Sequence, residues 1–101
     1  MSFKHGEIHW TELNTHDPEK AAGFYRDILG WEIDSMPMPR GGTYRVGKAG
    51  GEMAAGIFEM TEPHMADLPS HWLSYFAVED ADKAAEAVVE AGGTVLRAPW
   101  D

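Results

Sequence analysis

Residues 10–33 and 73–96 are one 24-residue unit written twice at an offset of 63, with no gap needed to align WTELNTHDPEKAAGFYRDILGWEI with LSYFAVEDADKAAEAVVEAGGTVL. Asp17/Asp80, Lys20/Lys83, Ala21/Ala84, Ala22/Ala85 and Gly30/Gly93 are identical pairs, and Glu19/Asp82, Leu13/Phe76 and Ile33/Leu96 keep their character. The matches fall on a helix start, its apolar face and its stop, where structural signals concentrate. The chain is therefore read as a duplicated strand–helix–strand module.

In the first unit, Ile8–Leu13 alternates like a half-buried strand and runs into Asn14-Thr15-His16-Asp17-Pro18. Asp17 can cap free amides while Pro18 takes the first helical position, where a missing N–H costs nothing. Ala21, Phe24, Tyr25, Ile28 and Leu29 make one apolar stripe, Gly30 stops the helix in a left-handed conformation, and Trp31-Glu32-Ile33 returns as a strand. The second unit repeats the plan: strand Trp72–Val78, cap Asp80, stripe Ala84, Ala87, Val88 and Ala91, stop at Gly92-Gly93, strand Thr94–Leu96. Both helices are expected to cover one face of a sheet. Between the units, Met36–Gly42 reads as a loop, Thr43–Val46 and Ala54–Met60 as strands parted by Gly47–Gly51, and Thr61–Ser70 as a linker. The fold class is α+β, one domain over 1–101, with a first βαβββ module at 6–60 and a second at 71–101. A counterpart of Glu59 in the second copy would fall at about residue 122, past Asp101, so the second module is expected to lack its last hairpin in this chain.

A net charge of −9, without any Lys/Arg cluster, opposes phosphate tracking, so neither nucleic acid nor an anionic membrane is an expected partner. Without cysteine there is no disulfide frame and no thiolate nucleophile or ligand. No segment reads as a signal peptide or a membrane span, and a cytoplasmic location is expected. The glycine pairs Gly41-Gly42 and Gly50-Gly51 fit no phosphate-loop spacing and read as turns.

The paired modules, the FYRDILGW run at Phe24–Trp31 and the AGGTV run at Ala91–Val95 resemble the vicinal oxygen chelate superfamily, which includes glyoxalase I, bleomycin-resistance proteins and extradiol dioxygenases. The resemblance covers residues from about Gly6 to Pro99 and implies two modules curling into a cup around a small molecule, with cups often completed between paired copies. A homodimer is the expected assembly. Family enzymes hold a divalent ion with a His near the start of each module's first strand and acidic residues later in the module. Counting back seven residues from Asp17 and Asp80 reaches Trp10 and Leu73, whose side chains cannot bind a metal. No metal cofactor is therefore expected. The alternative is a shifted site of His9, Glu59 and His71, suited to zinc, iron, nickel or manganese. His5, His16 and His64 read as surface, loop and linker residues.

On the expected cup face, Trp10, Glu12 and Asn14 alternate along the first strand, and Leu73 and Tyr75 along its duplicate. Aromatic and aliphatic walls with a few polar groups suit a small ligand. A carboxylate turned inward needs a partner such as Arg45, water or a ligand, which makes Glu12 the best candidate for a general acid or base. No nucleophile with an adjacent base is visible. The leading expectation is a metal-independent small-molecule binding or sequestering domain of the glyoxalase/bleomycin-resistance type. The alternatives are a metal-dependent lyase, isomerase or dioxygenase, and an assembly module with a degenerate ligand site.

Overall fold

The computed structural model describes residues 4–39 and 43–99. The expected loop at Arg40-Gly41-Gly42 and the terminal Asp101 lie outside them. Five strands and two helices follow in the order β1 (Ile8–Thr15), α1 (Pro18–Leu29), β2 (Glu32–Pro37), β3 (Thr43–Ala49), β4 (Glu52–Glu59), β5 (His71–Phe76) and α2 (Ala81–Glu90). The strands form one mixed open sheet in the order β2-β3-β4-β1-β5. Its two hairpins are antiparallel, whereas β1 pairs in parallel with β4, Glu12 opposite Gly56 and Asn14 opposite Phe58. This is an α+β architecture of the expected class. The chain divides into two compact units, Trp10–Tyr75 and a second made of the described residues up to His9 with those from Phe76 onward.

Within Trp10–Tyr75, α1 starts and stops where its sequence dictates. The Asp17 carboxylate accepts the Lys20 N–H at 3.1 Å, Pro18 opens the helix, and Gly30 closes it at φ 71°, returning its N–H to the Arg26 carbonyl. The helix lies over the sheet through a core of Leu13, Ala22 and Ile57, with Ala21, Tyr25 and Ile33 packed around it. The expected stripe is only partly covered. Phe24, Ile28 and Leu29 are all more than half exposed, because the small Ala22 rather than the large side chains meets the sheet. An aromatic group extends this packing: Tyr25 stacks on Trp31 at 5.3 Å between centroids and meets Trp72 edge-on, whose indole N–H reaches the Tyr25 hydroxyl. Gly47 lies beneath the Trp31 ring, where any Cβ would overlap it.

Several boundaries differ from the sequence reading. β2 continues through Met36 and Pro37, which were expected in a loop. It is an edge strand, so the missing proline N–H can face away from the ladder. The break between β3 and β4 is only Gly50-Gly51, both at positive φ (59° and 86°), a two-residue turn that lets the hairpin run from Ala49 into Glu52. Gly47 is thus a strand residue. The linker contains a one-turn 3₁₀ segment at Pro63–Met65.

In the second unit, the Gly6 N–H donates to the Ala77 carbonyl and the Ala77 N–H to the Glu7 carbonyl. The Glu79 N–H donates to His5 Nδ1 at 3.0 Å. Asp80 caps α2 by accepting the Lys83 N–H, as the duplication requires, and Gly92 follows the helix at φ 96°. None of the α2 residues is fully buried; Ala84 is half-buried while Ala87 and Val88 are exposed. The strand expected at Thr94–Leu96 does not form. No described segment pairs with it, and a strand has no ladder without a neighbour; Leu96 is accordingly 95 % exposed.

Candidate functional site

Alternation along the strands assigns two faces to the sheet. Leu13 and Ile57 point toward α1, so Trp10, Glu12 and Asn14 on β1 and Gly56 and Phe58 on β4 point the other way. Register places Tyr44 and Val46 of β3 on that same face, opposite Phe58 and Gly56. Tyr75 joins them from β5, its hydroxyl donating to Glu12 Oε2 at 3.0 Å. Leu73 lies one pleat earlier on β5. The five expected ligand-facing residues therefore share one face.

Glu12 is the centre of the group. Only 9 % of it is exposed, and a carboxylate so enclosed requires hydrogen bonds. Arg45, considered for this role, is not its partner. That guanidinium turns to the α1 face and pairs with Glu19, because neighbouring residues of a strand point to opposite sides. Its hydrogen-bond partner is the Tyr75 phenol. The Tyr44 hydroxyl accepts the Trp10 indole N–H at 3.0 Å and lies near enough to feel the Glu12 charge. An indole–phenol pair thus stands beside a phenol–carboxylate pair on one face. Both phenols are pushed up to about 12. Burial is the first cause in each case, and the negative charge and hydrogen bond of Glu12 add to it; in Tyr44 the bond from Trp10 works the other way.

A raised phenol pKa has a measurable sign. In the unfolded chain these phenols ionise near 10, in the folded chain near 12, so their contribution is complete below pH 10 and is lost as pH rises toward 12. Urea unfolding midpoints are expected to fall over that window in the wild type. In Tyr75→Phe and Tyr44→Phe the fall should be shallower, and tyrosinate absorbance should lose its late component. A pH profile identical in all three proteins would show that these hydroxyls are not raised in the folded chain.

Sequence reasoning missed Tyr44 and Gly56. Tyr44 lies near the start of a strand segment that reads as only four residues in sequence, too short to set parity. Gly56, a lone glycine within a strand, was a legible sign that something approaches the backbone closely. Here it is the Tyr44 ring: a Cβ on Gly56 would overlap the hydroxyl and stand 2.5 Å from Cζ.

The positions at which a family metal would be held do not fit one. The Trp10 nitrogen is a donor already bonded to Tyr44, and Leu73 has no donor atom. His9 alternates to the other side of β1 from Trp10. Glu59 shares the Ile57 face, while His71 has the parity of Leu73 and Tyr75, so Glu59 and His71 lie on opposite faces; His71 Nδ1 is 2.8 Å from the Pro69 carbonyl. Among the described residues, no three His, Asp or Glu side chains gather closely enough to hold a metal ion. Nor, among them, is any helix long and apolar enough to cross a membrane. One further polar group belongs to the site face: the Asn14 amide nitrogen is buried without a partner.

Comparison with known proteins agrees with this geometry. The chain is 42 % identical over 96 residues to the Mycobacterium bovis protein named "Putative glyoxylase CFP32", a match covering 95 % of this chain and 36 % of that protein. It is 29 % identical to the "Anthracycline biosynthesis protein DnrV" of Streptomyces peucetius, over 98 % of this chain and 40 % of that one. A "Glyoxylase-like domain-containing protein" of Didymella fabae is 32 % identical over 91 % of this chain and 73 % of its own length. The chain thus spans little more than a third of the first two relatives. Residues 7–101 match the family described as Glyoxalase/Bleomycin resistance protein/Dioxygenase superfamily, and the chain belongs to it.

Proposed function

We propose that the sheet face around Glu12 binds a small aromatic molecule, and that the domain acts as a metal-independent binding or sequestering unit. The observation that carries this reading is the enclosed Glu12 carboxylate, bonded by the Tyr75 phenol beside the Tyr44–Trp10 pair, a polar centre in an aromatic setting and not a packed apolar core. The site opens toward β5, where Leu73 and Tyr75 are 42 % and 41 % exposed. The indole at one family ligand position and the isobutyl group at the other support action without a metal. A relative named for anthracycline biosynthesis supports a polycyclic aromatic ligand.

Calorimetric titration of the chelator-treated chain with an anthracycline aglycone tests this. Binding without added metal is expected. Glu12→Gln keeps the shape but loses charge-assisted hydrogen bonds, each contributing about 1.5–3 kcal/mol, so affinity should fall by roughly tenfold or more with a smaller change in unfolding midpoint. Affinity that appears only after zinc, iron, nickel or manganese is added, with bound metal near one equivalent that is lost on His71→Ala, would replace this reading with the metal-dependent one.

A further inference from the structure

We propose, resting on that reading, that the Glu12 site selects ligands which present a hydrogen-bond donor and carry no negative charge, a protonated amine or a hydroxyl on an aromatic frame, and that it rejects carboxylates. The argument is an inventory of donors and acceptors. The Trp10 N–H is spent on Tyr44. The Tyr75 O–H is spent on Glu12, and the Tyr44 hydroxyl, which accepts from Trp10, lies within the field of the same carboxylate. The Asn14 amide nitrogen is fully enclosed and offers nothing to a ligand at the surface. Basic side chains of β3 are committed elsewhere, Arg45 to Glu19 on the α1 face and Lys48 to Asp34 at 2.6 Å.

What remains is acceptor capacity. A carboxylate has about four lone-pair sites, of which the Tyr75 phenol occupies one. An incoming ammonium or hydroxyl can fill another. An incoming carboxylate meets a like charge with both β3 cations, Arg45 and Lys48, committed elsewhere, in a chain whose net charge is already −9. Tyr75 holds Glu12 Oε2 in place, so selection is built into the site rather than assembled by the ligand.

The test is a matched set of naphthalene probes titrated into the full chain: naphthylmethylamine, naphthol, methoxynaphthalene and naphthoate. The amine and the naphthol are expected to bind about tenfold tighter than methoxynaphthalene, with naphthoate the weakest. In Glu12→Gln the advantage of the amine over methoxynaphthalene should collapse, with a cooperative urea unfolding transition certifying that the variant is folded. Equal affinity for all four probes, tighter binding of naphthoate, or an amine advantage that survives in Glu12→Gln would overturn the selection rule and leave the aromatic site standing. Failure of all four to bind would overturn the aromatic site itself, and the selection rule with it.

Discussion

Gly56→Ala is expected to destabilise the domain by about 1–3 kcal/mol and to dismantle the Glu12 site at the same time, although it adds only one methyl group. The backbone at Gly56 is ordinary extended strand, so the substitution by itself should gain a few tenths of a kcal/mol to about 1 by restricting the unfolded chain. The new Cβ, however, occupies the space of the Tyr44 hydroxyl. Tyr44 cannot yield by a small torsion, since its rigid ring is tied to the Trp10 indole. It must swing away, leaving the Trp10 indole N–H without its partner and opening the wall beside Glu12. Denaturant unfolding measures the loss, and a double-mutant cycle assigns it. In a Tyr44→Ala background, Gly56→Ala should be nearly neutral or mildly stabilising, because the obstructing ring is gone. Additive losses in the double variant would show that the two residues do not share that space.

Ile57→Ala is expected to cost about 2–5 kcal/mol, which is a third or more of the stability of a typical small domain. Ile57 is the largest fully buried side chain, on a central strand between Leu13 and Ala22. Neighbours that could relax into the vacancy are few. Ala22 is too small to fill it, and Tyr25 is held by its stacking on Trp31 and its bond from Trp72. The cost should therefore lie toward the upper part of that range. Ile57→Val, which removes one methylene, should cost about 0.5–1.5 kcal/mol. A loss below 1 kcal/mol for the alanine variant would mean that the α1 face collapses onto the sheet more freely than its packing indicates. Ile57 points away from Glu12, so ligand selectivity should be unaltered in whatever fraction remains folded.

What could be read from sequence depended on the range over which each signal acts. Asp17-Pro18 and Gly30 act within a turn of backbone, and the helix between them begins and ends where they require. Alternation along β1 acts within one strand, and it correctly put Trp10, Glu12 and Asn14 on a common face. The partner of Glu12 could not be reached in this way. Arg45 was the nearest cation by composition, but whether position 44 or 45 faces Glu12 depends on a register fixed by the Gly50-Gly51 turn, and the two choices give opposite answers. Pro37 looked like a loop residue because its effect in a strand depends on whether that strand lies at an edge, a property of the whole sheet. Thr94–Leu96 shows the converse, since strand-like composition produces no strand where none of the described segments is placed to pair with it.

The parallel pairing of β1 with β4, and the contact from β1 to β5, also set when the site comes into being. The Trp10–Tyr44 and Glu12–Tyr75 bonds join residues 34 and 63 positions apart, so each closes a long loop whose entropy must be lost before the contact can repay it. The β3–β4 hairpin and α1 need no such closure. Contacts that form late on the way in are made after the folding transition state. Anything that strengthens them acts mainly on the escape rate from the native state. An occupant of the Glu12 site should therefore lengthen the lifetime of the folded domain far more than it speeds its formation.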